Sequence, residues 1–201
     1  MMPRPPGVPG TMAQEAEEIL SMSIERLERQ PVHSGSRLRL FRDRVRLANG
    51  LVRTWDILEQ PPVAVILPYQ SGPDGGRVLM VRQYRYAIGQ DLLEFPAGIV
   101  EAGEDPAHAA RRELAEETGL EAARWVTLPP VFRMPGNSNE RTHFYLAGEL
   151  SPASGYGVDP EEEIALEWLA VEEFESRVLS GRIEDGKSLI LWLLAQPHLQ
   201  P

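Results

Sequence analysis

The stretch Gly98–Leu120, GIVEAGEDPAHAARRELAEETGL, holds five glutamates, and Glu113, Glu116 and Glu117 fall within five consecutive positions. Like charges three and four residues apart on a helix repel one another, so the gathering needs a reason. The helix signals around it are clear. Asp105 suits an N-cap, Pro106 the first helical position and Gly119 the residue just past the end, which predicts a helix over Pro106–Thr118. On it Glu113, Glu116 and Glu117 project to one side. Mg²⁺, Mn²⁺ and Ca²⁺ take oxygen ligands of this kind, and Mg²⁺ commonly shares its shell with substrate phosphates. The competing reading is a solvated acidic helix face, the usual fate of a charge run.

The rest of the chain narrows the choice. It has 201 residues, 42% hydrophobic and 25% charged, which suits one soluble domain with a real core and a small extra element. A net charge of −10 speaks against general nucleic-acid binding, which wants a basic surface. With no cysteine and four histidines, disulfides and thiolate sites are excluded, and a hard-cation site is favoured over zinc. No apolar run reaches the roughly 18 residues of a membrane span, and MMPRPPGVPG lacks a signal-peptide core, so a cytoplasmic location is expected.

Residues 1–33 read as a tail and a short helix, the latter over Met12–Glu28. Residues 34–60 alternate apolar and charged side chains around Asn49-Gly50, a hairpin turn pair, and so predict antiparallel strands with one face to cover. Residues 61–201 form the main domain. Strands are expected at Val63–Tyr69, Arg77–Tyr86, Asp91–Gly98, Arg124–Met134, Arg141–Leu150 and Ile164–Val171, and helices at Glu172–Gly181 and Gly186–Gln196. Strands and helices mix without strict βαβ alternation, which predicts an α/β sandwich on a mixed sheet.

Gly98, Glu104, Arg112, Glu113, Leu114, Glu116, Glu117, Gly119 and Leu120 fill every defined position of G-x5-E-x7-R-E-U-x-E-E-x-G-U, with U aliphatic. In this the chain resembles the Nudix hydrolases. VRQYRYAIGQDLLEFPAG before the box and PGNSNER after it resemble the branch that hydrolyses ADP-ribose and related nucleoside diphosphate sugars. The resemblance runs from about Ser34 to Gln196, specific in the box and loose elsewhere.

The resemblance implies the Nudix α/β/α sandwich, with N-terminal antiparallel strands joining a homodimer. It implies two or more Mg²⁺ ions, with Mn²⁺ a substitute, held by Glu113, Glu116, Glu117 and the carbonyl of Ala97. Arg112 would orient the box carboxylates, paired to one such as Glu104. The general base of this branch lies on a downstream loop, here with Glu162 preferred and Glu161 second. If neither downstream glutamate serves, Glu116 is the box alternative. Arg85 corresponds to a phosphate-binding arginine, and Glu140 to a residue near the terminal ribose or the water. Pro135 reads equally as a shaper of that loop and as a plain turn proline. Trp55 stands where several relatives carry arginine; it would stack on a base or pack in the dimer interface. His108 reads as a surface residue. The implied activity is hydrolysis of ADP-ribose or a related nucleoside diphosphate sugar to a nucleoside monophosphate and a sugar phosphate. GDP-mannose or another such sugar, a damaged nucleoside triphosphate, or a non-catalytic ADP-ribose-sensing role are the alternatives.

Overall fold

The computed structural model describes residues 24–73, 75–154 and 164–199. The chain forms two compact units that divide between Glu59 and Gln60.

The N-terminal unit is a three-stranded antiparallel sheet in the order β1 (Glu25–Ser34), β2 (Arg39–Arg46), β3 (Val52–Glu59). The strand region thus begins at Glu25, nine residues before Ser34, and Glu25–Glu28 are strand where the sequence suggested the end of a helix. Ile24 is not helical either, and residues 12–23 of that expected helix lie outside the described residues. Cross-strand pairing overrides local helix propensity here. Arg29 donates from Nε and Nη2 to Asp43 at 2.8 and 2.7 Å and from Nη1 to Glu59 at 2.5 Å, tying all three strands together. Asn49-Gly50 makes the expected turn, with Gly50 at φ 81°.

The second unit is built on one mixed sheet in the order β10 (Ile164–Ala170), β5 (Arg77–Arg85), β4 (Val63–Gln70), β9 (Arg141–Pro152), β8 (Leu120–Phe132). Two short strands extend it: β6 (Gln90–Glu94) beside β5 and β7 (Ala97–Ile99) beside β4. Only the β4–β9 pairing is parallel among the described strands.

Helix α1 (Pro106–Thr118) lies on one face and α2 (Val171–Leu179) and α3 (Gly186–Ala195) on the other. The strand period explains this. Along β4, Ala64 and Ile66 join a core with Ala109, Ala110 and Leu114 of α1, while Val65 and Leu67 point the opposite way into a core with Phe174, Leu191 and Trp192. Phe174 stacks on Phe95 with centroids 5.3 Å apart and tilts against Trp192 at 4.8 Å. A sheet that is apolar on both faces needs cover on both, which gives the α/β/α sandwich.

Candidate active site

The box helix starts and stops as its sequence dictates. The Asp105 carboxylate accepts from the N–H groups of Ala107 and His108 at 2.9 and 3.3 Å, and Gly119 closes the helix in the left-handed region at φ 66°. Ala109, Ala110 and Leu114 face the sheet. That rotation carries Arg112, Glu113, Glu116 and Glu117 to the side where β7 runs.

Arg112 organises the cluster. Its Nε and Nη2 donate to the two oxygens of Glu104 at 3.1 and 3.0 Å. Its Nη1 donates to Glu113 at 2.7 Å and Glu116 at 2.9 Å, and Nη2 also reaches the carbonyl of Ile99 at 3.0 Å. One guanidinium therefore neutralises charge on three carboxylates, which answers part of the repulsion problem. The Glu104 carboxyl is held down at about 2, first by Arg112 and then by His108, whose Nδ1 lies 2.9 Å away. The Arg112 guanidinium is raised in turn, chiefly by Glu104. The His108 ring itself is largely exposed, as expected.

Glu117 is buried, and its Oε2 accepts from the N–H of Ala97 at 3.0 Å. Gly98 follows, and a Cβ there would meet the Glu113 carboxylate at 1.9 Å. The glycine is what lets that carboxylate lie against the β7 backbone. Glu113, Glu116, Glu117 and the Ala97 carbonyl offer oxygen donors beside a glycine whose missing side chain leaves room for the Glu113 carboxylate, a chemistry that fits a hard divalent cation. Among the described residues no three acidic or histidine side chains converge on a single point. The geometry gives the reason: Arg112 draws Glu113 and Glu116 toward itself, while Glu117 turns to Ala97.

Arg85 ends β5, and its Nε and Nη2 make a two-pronged grip on Glu94 at 2.7 and 2.6 Å. Its side chain remains 40% exposed, and the Glu117 charge is among those that raise its guanidinium, after the dominant hydrogen bond to Glu94.

The other candidates are placed differently. Glu140 is buried and held by Arg133, whose Nε donates to Oε1 at 2.9 Å and whose Nη2 donates to the same oxygen. Thr142 donates to it as well, at 3.3 Å. Pro135 sits in a turn closed by the Ser138 N–H on the Met134 carbonyl at 2.9 Å. Trp55 belongs to the N-terminal unit, on β3, with its indole exposed. Glu161 and Glu162 lie outside the described residues; Ile164, where description resumes, pairs with Gln83 of β5.

Glu94, Arg133, Asp185 and Lys187 were not singled out by the sequence reading. Glu94 carried a signal, a carboxylate inside the apolar run DLLEFPAG. The others find their partners only through the fold.

A family model described as the NUDIX domain matches residues 59–192. The ADP-ribose pyrophosphatase of Mycobacterium tuberculosis is 35% identical over 162 residues, 80% of this chain and 77% of that protein. The methanol dehydrogenase activator of Bacillus methanolicus is 32% identical over 165 residues, 82% of this chain and 88% of that protein. Among solved structures, an ADP compounds hydrolase superposes with a TM-score of 0.75 at 19% identity, over 89% of this chain and 96% of that one. The chain belongs to the Nudix family and is a Nudix hydrolase with the family's sandwich fold. No helix among the described residues is long and apolar enough to cross a membrane.

Proposed function

We infer that the protein hydrolyses the pyrophosphate bond of ADP-ribose or a closely related nucleoside diphosphate sugar, giving a nucleoside monophosphate and a sugar phosphate. The observation that carries this is the Arg112-organised carboxylate cluster beside Gly98. The relative named as an ADP-ribose pyrophosphatase directs the substrate class.

Glu113, Glu116, Glu117 and the Ala97 carbonyl would hold Mg²⁺, or Mn²⁺ in its place. A cation bound there would neutralise phosphate charge and lower the pKa of a water. The chain's own residues do the remaining work. Arg85 offers a planar fork to the diphosphate oxygens, and Glu94 keeps that fork oriented. Arg112 holds Glu113 and Glu116 together before substrate arrives, and a cation would have to draw them from it. Glu162, with Glu161 second, would take the proton of the attacking water. Glu140 serves the loop Arg133–Glu140 as a structural carboxylate under this reading, since Arg133 and Thr142 occupy its Oε1.

A homodimer in the cytoplasm goes with this reading. The support for the dimer is the N-terminal sheet, which leaves Val32, Val52 and Trp55 exposed, with β1 and β3 at its edges among the described residues. The test of function is a panel of ADP-ribose, GDP-mannose, other nucleoside diphosphate sugars and nucleoside triphosphates with Mg²⁺. ADP-ribose should have the highest kcat/KM; a preference for triphosphates would refute the assignment.

A further inference from the structure

Lys187 is the single lysine of a chain that has nineteen arginines. It stands second in α3, where a cation opposes the helix dipole, and its side chain is only 8% exposed. An apolar side chain there would avoid the desolvation cost of a buried ammonium. Helix stability therefore does not account for Lys187, but its contacts do. Its Nζ pairs with Glu94 Oε2 and, at 3.0 Å, with Asp185 Oδ2. Those two carboxylates are themselves 2% and 10% exposed. Glu94 presents both oxygens to the Arg85 fork at the same time. Lys187, Glu94 and Asp185 are nearly buried, and the half-exposed Arg85 supplies the second cation that balances the two carboxylates. An ammonium is compact and has no planar demand, so it fits between two carboxylates already committed elsewhere, where a second guanidinium fork would compete with Arg85.

The backbone is fixed along with the side chain. Asp185 caps α3 by accepting from Ser188 N at 3.0 Å and from Ser188 Oγ at 2.6 Å, and Ser188 Oγ accepts from Phe95 N at 2.8 Å. The start of α3 therefore holds both the Glu94 carboxylate and the peptide after it. Two residues on, the Ala97 N–H meets Glu117.

We propose that Lys187 is a positioning residue for Arg85: it fixes the Glu94 carboxylate, and through it the direction of the guanidinium that receives the substrate's diphosphate. This rests on the reading of Arg85 as a phosphate contact. Without Lys187, Glu94 and Asp185 are two buried carboxylates short of one cation, and their repulsion turns Glu94 away from the Arg85 fork. The substrate meets Arg85 before and during the reaction alike, so the loss falls on KM more than on kcat.

The experiment is a cycle of wild type, K187M, R85A and R85A/K187M, with kcat and KM for ADP-ribose measured well below each variant's melting temperature. K187M should raise KM about tenfold while kcat stays within about threefold, and in the R85A background the same change should add less than about twofold to KM. Wild-type KM in K187M, or an equal factor in both backgrounds, would overturn the proposal. R85A with wild-type KM would overturn the phosphate reading and this proposal with it. An impaired R85A with an additive K187M would overturn the proposal alone. If K187M does not fold, K187Q replaces it in the same cycle under the same criteria.

Discussion

The Glu113 carboxylate occupies the space where Gly98 would carry a side chain: a Cβ on Gly98 would stand 1.9 Å from the Glu113 Cδ and Oε1 and 2.2 Å from Oε2. The atoms in conflict are the far end of a flexible side chain, not backbone. G98A should therefore cost little stability, about 1 kcal/mol or less, because the glutamate can swing away. It should nonetheless lower kcat/KM at least about a hundredfold, because the swing removes a carboxylate from the donor set. Thermal melts beside steady-state kinetics check this. A variant with normal activity, or one that unfolds, would show that the contact does something else.

Arg112 bonds three carboxylates, and removing it leaves them facing one another. R112M should lose about 1–3 kcal/mol in denaturant unfolding, as expected when a part-buried cation bonded to three carboxylates is deleted. Mg²⁺ should then raise the melting temperature of R112M more than that of the wild type, because a cation relieves the same repulsion. Equal Mg²⁺ shifts in the two proteins would separate Arg112 from the cation site.

The helix that carries the box was legible because its signals are local. Asp105, Pro106 and Gly119 bounded α1, and the apolar run Val63–Tyr69 marked the strand β4, whose division between two cores came only with the fold. β1 was not legible. Its residues Glu25–Glu28 continue a run of good helix formers, and what makes them strand is pairing with Arg44–Arg46 and the grip of Arg29 on Glu59, thirty residues away. Lys187 and Glu94 are separated by 93 positions, and nothing in either neighbourhood names the other. Arg133 and Glu140 lie only seven apart, yet their pairing needs the β8–β9 register to bring them face to face. The N-terminal boundary shifted for the same reason that β1 was missed.

Glu104 links the site to acid stability. Its carboxyl is held at about 2 against an ordinary value of 4.5. A depressed carboxyl contributes stability that is full above about 4.5 and lost as pH falls toward about 2. E104Q should therefore flatten the dependence of the unfolding free energy on pH in that window and lower stability at neutral pH. Denaturant midpoints taken across the window test it; an unchanged acid slope in E104Q would show that Arg112 does not hold this carboxyl down.

On the proposed roles, the downstream base is separable from the donor set. E162Q should lower kcat by about 10²–10⁴ with KM and Mg²⁺ affinity nearly unchanged. E140Q should act differently: weakening the Arg133 bond should lower stability before it lowers kcat. If E161Q or E140Q loses kcat while E162Q keeps it, the base is that other residue. If none of the three matters, Glu116 becomes the candidate.

The most direct test of the whole account is the product analysis of ADP-ribose incubated with the wild type and E117Q, with Mg²⁺, in excess chelator, and after Mg²⁺ is restored. Wild type should give AMP and ribose 5-phosphate in equal amounts with Mg²⁺, none in chelator, and both again on restoration. E117Q should lose turnover and metal affinity together. Full turnover by exhaustively metal-stripped wild type, or ADP-ribose left intact beside rapidly cleaved nucleoside triphosphates, would contradict it.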